Sequence, residues 1–417
     1  MGECNMRFGI LSQWFDPEPG PAGLPGALAR GLAARGHEVE VVTGFPNYPS
    51  GKLAQGYKIR PKSVEVCDGV RITRTALYPS HSDSTIGRLL NYGSFAASAT
   101  ALGVPSAFKD IDAMWVNYSP VTLALPMMTQ HLFRRTPSVV HVLDLWPDTL
   151  TAAGFAGSGG LGSLAAKRML DFVCGVMYRA ANTVAYISPS VGPALEERGV
   201  DSSKLAYVPM WANESIFGQD TKQIDTRLPD RPIELLYAGT LGRAQGLEFL
   251  IEAAANLADL PFVCKIAGSG TEEQKLKDLA ALLGARSVEF LGRVPQEDVP
   301  ELMATADLHF ISLNSDPLAQ MTMPSKIQSI LASSGAIIGA LTGDAADVVE
   351  KSNSGWTCPP GDARALEHVI REAIELGRPN LADRKAAARA FYESEFSFSR
   401  GVQQIESLLM DAALARR

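Results

Sequence analysis

Between Tyr237 and Ala255 the chain reads YAGTLGRAQGLEFLIEAAA, three glycines and an arginine set between a strand-like and a helix-like run. Gly239, Gly242 and Gly246 carry no Cβ, so backbone N–H groups there can approach an anion closely. A helix opening near Gly246 would aim its positive end at the same point, and Arg243 adds a full charge. A second stretch, MPSKIQSILASSGAIIGA, sets Lys326 at the opening of another helix ahead of a buried-looking strand. Cations where backbone donors converge suit one task, holding a diphosphate and stabilising it as a bond to it breaks.

The elements that must position these groups alternate along the chain. Strand-like runs at Met6–Leu11, VEVVTG, VRITRT, AMWVN, SVVHVLD and TVAYIS are separated by helical ones such as Leu24–Arg35 and Leu161–Ala181. A Pro-led polar stretch at 209–215 precedes a second series, IELLYAG, FVCKIAG, VEFLG and DLHFISL, with helices near 247–257, 272–283 and 298–305. This is the pattern of two α/β units, each a parallel sheet wound with helices on both faces. Ligands of such units gather outside the carboxyl ends of the strands.

Composition narrows the function. The 417 residues are 46% hydrophobic and 20% charged, with a net charge of −7. Residues 1–200 hold 17 Lys and Arg against 15 Asp and Glu, which leaves the second half strongly acidic. A basic cluster of Lys52, Lys58, Arg60, Lys62, Arg71 and Arg74 reads as a solvated face, or as a surface for an anionic acceptor or membrane. A pI near 5.5 with no aromatics among the cations excludes nucleic acid. Five scattered cysteines without a CxxC pair form neither a disulfide framework nor a zinc site and point to a reducing compartment. No signal peptide and no membrane-length apolar run is found, so a cytoplasmic protein is expected. Asp110-Ile-Asp112 spells a DxD metal motif but sits at the start of its strand, and no metal is expected to bind there.

FPNYPSGK (45–52), DLWPDTL (144–150), the run from ISPSV to VPMWANESIF (187–217), AGTLGRAQGLEFLIEA (238–253), FLGRVPQEDVPELMATAD (290–307) and PSKI (324–327) occur in this order. By them the chain resembles the retaining GT-B glycosyltransferases of family 4, and among these the branch of the colanic-acid and capsular L-fucosamine or N-acetylglucosamine transferases. The resemblance implies two Rossmann-like domains facing each other across a cleft. Residues 1–208 would form the acceptor-side domain and 209–385 the nucleotide-sugar domain, with helices 386–417 packing back toward the first. It makes Arg243 and Lys326 the cations that replace a metal at the donor diphosphate, and Asp144 the third catalytic residue. The donor contacts it implies are Gly20, Gly23, Gly239, Thr240, Gln245, Gly268, Arg293, Met321 and Ser329. Acceptor candidates are Asn47, Tyr48, His141 and Trp146. His141 lies two residues before Leu143, the place where relatives have histidine, so it points the same way from about 7 Å further back. A core histidine is the favoured reading of it.

Two departures bear on activity. The family's paired glutamates are absent, with Ser329 and Met321 in their places. Gln245 stands where distant members have lysine. The expected partners are a nucleotide-sugar donor, UDP-linked or GDP-linked, and a small-molecule or lipid-linked acceptor. No cofactor is expected. The face of Leu161–Ala181 with Lys167, Arg168 and Arg179 is either a contact with the inner face of a membrane or a core helix, the latter favoured. A nucleotide-sugar 2-epimerase and a non-catalytic degenerate transferase that partners another protein are the alternatives.

Overall fold

The computed structural model describes residues 5–80, 85–148, 161–218, 231–295 and 297–416. The chain divides into two compact units, one of residues up to Pro209 together with Gly401 onward, the other Met210–Arg400.

The first unit is built on β1 (Arg7–Leu11), β2 (Glu38–Gly44), β3 (Lys62–Cys67), β4 (Val70–Thr75), β5 (Ala113–Tyr118), β6 (Ser138–Val142), β7 (Thr183–Tyr186) and β8 (Leu205–Tyr207). They form one sheet in the order β3-β4-β2-β1-β5-β6-β7-β8, parallel except for β3, which pairs antiparallel with β4. Every residue of β5 and β6 is buried, as expected of parallel strands covered on both faces. Strand order reverses between β1 and β5. The edge strand β3 is absent from the sequence expectation because KSVEVC is short and polar, and it is largely exposed.

The second unit holds β9 (Ile233–Ala238), β10 (Phe262–Ala267), β11 (Val288–Gly292), β12 (Leu308–Ser312), β13 (Ala336–Ala340) and β14 (Gly355–Cys358), all parallel in the order β11-β10-β9-β12-β13-β14. Alternate residues of β9 feed two cores. Leu235 and Tyr237 pack with Phe249, Leu250, Ile266 and Phe310 on one side, and Leu236 packs with Ile311, Ile327 and Val349 on the other. Here the order reverses between β9 and β12.

The C-terminal segment belongs to both units in turn. Helix Ala363–Phe391 opens at Asp362, whose carboxylate accepts from the amides of Arg364 and Ala365, and it kinks at Gly377, two residues before Pro379. Residues 386–400 stay with the second unit, because Ala388, Tyr392 and Phe396 are buried in its core. The sequence expectation placed the return at 386. It comes at 401, where helix Phe398–Leu414 brings Glu406 within 2.7 Å of Arg35 and 2.8 Å of His37.

Candidate active site

In the second unit the expected residues gather on the loops that leave the carboxyl ends of β9, β10 and β12. After β9 the backbone turns at Gly239, passes a short helical turn over Arg243–Gln245, and reaches Gly246 in the left-handed region at φ 52°. Helix Glu248–Asn256 starts two residues later than the sequence suggested. The β12 loop holds this turn from below: Ser312 Oγ donates to the Gln245 carbonyl at 2.5 Å, Asn314 N to that of Ala244 at 2.8 Å, and Asn314 Nδ2 to that of Arg243 at 2.5 Å. A Cβ at Gly246 would lie 2.1 Å from Asn314 Oδ1. These bonds span the point where the strand order reverses, the place where open α/β sheets bind ligands.

Backbone approaches backbone at the neighbouring strand. Gly239 N donates to the Ala267 carbonyl at 2.8 Å and Leu241 N to that of Ser269 at 3.0 Å. A Cβ on Gly268 would come within 1.7 Å of the Gly239 carbonyl oxygen. Only glycine permits that contact, and Gly268 also has φ 144°.

Lys326, on the first turn of helix Ser325–Ala332, reaches under this loop. Its Nζ donates to the Tyr237 hydroxyl at 3.1 Å and lies 4.3 Å from the centre of that ring, and a Cβ at Gly239 would be 2.1 Å from it. No carboxylate among the described residues forms an ion pair with it, and burial pushes its ammonium down to about 8. Burial also raises Tyr237, whose hydroxyl donates to the Thr240 carbonyl at 2.7 Å. A desolvated ammonium of this kind is receptive to an anion.

Arg243 is the opposite case. Its side chain is 91% exposed and meets Glu272 at 3.5 Å, a surface ion pair worth about 0–1 kcal/mol that an anion can displace. Thr240 and Arg293 are exposed, Gln245 and Met321 half-buried. Ser329 donates its hydroxyl to the Ser325 carbonyl at 3.2 Å and so can offer a ligand only an acceptor.

In the first unit Asp144 follows β6. Its carboxylate accepts from Ser119 Oγ at 2.9 Å, and burial raises its pKa against the lowering effect of that bond. The acceptor candidates fare less well. His141 is fully buried, its Nε2 lies 2.8 Å from the Val208 carbonyl, and burial pushes it down to about 4, so it is a core residue. Asn47 is buried, its amide donating to Phe45 and its oxygen accepting from Asn91. Trp146 is buried as well, and its carbonyl accepts from Arg198 at 2.6 Å. Tyr48 reaches the surface and packs edge-on to Trp14. Gly20 is exposed at φ 64°, while Gly23 lets the Glu18 carbonyl approach. The last two residues of DLWPDTL, 149 and 150, lie outside the described residues.

Comparison with known proteins is decisive at this point. Residues 25–211 match the model for a glycosyl transferase 4-like domain and residues 218–391 that for glycosyl transferases group 1. The chain is a GT-B glycosyltransferase of the family-4 type. WcaI of Escherichia coli K12, a glycosyl transferase whose name assigns it to colanic acid biosynthesis, is 29% identical over 391 residues, covering 90% of this chain and 94% of WcaI. Among solved structures, the sucrose-phosphate synthase of Thermosynechococcus elongatus superposes with a TM-score of 0.73 at 17% identity, over 99% and 100% of the two chains. HepE of Anabaena in complex with UDP and glucose gives 0.67 at 18%, over 97% and 100%.

Sequence reasoning missed two features of this glycosyltransferase. Glu18 is buried, and its carboxylate accepts from the amides of Phe15, Asn47 and Tyr48 at 3.1, 2.8 and 2.9 Å, tying the loop after β1 to the loop after β2. Arg74, read as part of a solvated basic face, is also buried. It donates to Glu65 at 2.7 Å and to the Asp16 carbonyl at 2.7 Å, and stacks over Tyr57.

Proposed function

We propose that this glycosyltransferase moves a sugar from a nucleoside diphosphate donor to a small-molecule or lipid-linked acceptor, with retention of anomeric configuration and without a metal. The observation that carries the reading is the Lys326 ammonium, desolvated and seated under Gly239 beside the turn that bears the exposed Arg243. Breaking the anomeric C–O bond moves negative charge onto the diphosphate, and cations fixed where that charge appears lower the barrier without reorganising. Gly239, Thr240 and Gln245 after β9, Gly268 after β10, Arg293 after β11, Met321 after β12 and Ser329 on helix Ser325–Ala332 are the donor contacts. A UDP-sugar is the favoured donor, in keeping with the UDP and glucose bound by the Anabaena relative, and a GDP-sugar is the alternative.

Asp144, held by Ser119, is the third catalytic residue and orients the acceptor, whose other contact is Tyr48. The diphosphate oxygen that leaves accepts the hydroxyl's proton, so no protein nucleophile is needed. Calorimetric titration with UDP, GDP, dTDP and ADP, with and without magnesium, tests the reading. Magnesium-independent micromolar binding of one of them, weakened in Lys326→Met, is the expected result. If none binds, a non-catalytic role as a partner protein replaces it.

A further inference from the structure

Three neighbouring helices of the first unit turn apolar side chains to solvent. Helix Thr85–Ser98 packs on Ala124–Arg134, which packs on Leu161–Ala180. Each already buries an inner stripe, with Phe95, Met127 and Met177 among its residues. Outward they present Ile86 at 70% and Leu89 at 62% exposure on the first, Leu132 at 68% and Phe133 at 83% on the second, and Met169 at 64% and Phe172 at 67% on the third. Scattered exposed apolar side chains are ordinary, but on adjacent helices at i, i+1 and i, i+3 spacing they form a patch that marks an interaction surface. The core-helix reading of Leu161–Ala181 therefore holds for its second half, where Cys174, Met177 and Tyr178 are buried, while residues 164–169 are exposed.

Charge identifies what covers the patch. The three helices carry Arg88, Arg134, Lys167, Arg168 and Arg179 against one carboxylate, Asp171, in a chain of net charge −7. Where the last two of them end, a cavity of about 360 Å³ is lined by His131, Arg135, Arg179, Lys204 and Arg416 and, among the described residues, by no carboxylate. Two of these cations are fixed in place, Lys204 by donating to the Arg179 and Ala181 carbonyls and Arg416 by donating to that of Arg134. Two copies of this chain joined symmetrically through the face would set cation against cation. No helix among the described residues is long and apolar enough to cross a membrane. An apolar stripe flanked by cations is the composition that lies in the plane of a bilayer.

We propose that this helical face docks on a membrane surface rich in anionic phospholipid, the apolar side chains entering the headgroup boundary and the cavity taking a lipid phosphate. The full chain is sedimented with vesicles of phosphatidylcholine alone or of equal parts phosphatidylcholine and phosphatidylglycerol. At least tenfold stronger binding to the anionic vesicles, released by salt, is expected. The pair Phe133→Asp and Phe172→Asp should weaken it at least tenfold. The pair Arg135→Glu and Arg179→Glu should weaken it by roughly fivefold per charge removed. Both variants should keep the wild-type melting temperature and nucleotide affinity, which separates failure here from failure of the donor reading. The proposal falls if the wild type stays in the supernatant, or if the variants sediment like the wild type. It falls equally if the wild type is a dimer that these substitutions dissociate, since the face is then a contact between copies.

Discussion

Lys326 and Arg243 stabilise the same charge by different physical routes, and their substitutions should separate. Arg243 is 91% exposed, so Arg243→Ala should leave the melting temperature unchanged while lowering turnover at saturating donor by about 10²-fold, the loss of about 3 kcal/mol typical of one charge-stabilising donor. Lys326 carries a pH signature. Burial lowers it to about 8 from 10.5, so below pH 8 both folded and unfolded chains hold its proton and the cost of burying the charge is present in full. Between about 8 and 10.5 the folded chain has released the proton and the unfolded chain has not. Its contribution to stability therefore rises with pH across that window, while diphosphate affinity falls, by up to tenfold per unit. Denaturant unfolding and calorimetry at pH 7, 8 and 9 should show both trends in the wild type and neither in Lys326→Met. Ser329→Glu should tighten donor binding by about 1.5–3 kcal/mol if the serine is a weakened ribose contact, and unchanged calorimetric affinity would place the ribose elsewhere.

At the scale of elements, the donor-side loops depend on two strand ends touching through their backbones. Gly268→Ala would press a methyl group into the Gly239 carbonyl and hold alanine at φ 144°, and should destabilise the protein by about 1–3 kcal/mol as well as weaken nucleotide binding. Gly242→Ala is the contrast: its Cβ would meet the movable Gln245 amide at 3.0 Å and Thr240 Cγ2 at an ordinary 3.8 Å, so urea midpoints should separate the two variants clearly. The glycine clusters and cations of this loop were legible in the sequence because each is local, read from a strand, a turn and a helix in succession. Glu18, Asn47 and Arg74 were not, because their burial is decided by partners such as Tyr48, Asn91 and Asp16 that lie far along the chain or across a loop. A carboxylate in a Pro-rich loop reads as solvated until three amides converge on it. The edge strand β3 was missed for a similar reason, since its pairing with β4 and not its own composition makes it a strand.

For the molecule as a whole, the segment after Gly401 matters out of proportion to its length. Val402, Ile405 and Leu409 are at most 1% exposed, and burying such side chains contributes about 1.5–3 kcal/mol each. Residues 1–209 expressed alone should therefore fail to give a cooperative melting transition, and restoring residues 401–417 should recover one. The same arrangement sets an order of events on the ribosome. Met210–Arg400 is continuous in sequence and can close as soon as Arg400 emerges, whereas the unit made first waits for residues encoded about 200 positions after its own last strand. At about 5–20 residues per second that wait is roughly 10–40 s, during which the apolar surface meant for the last helix is open to chaperones and proteases. The half synthesised first is thus the half completed last, and the yield of this protein in a cell should depend on how well that interval is guarded.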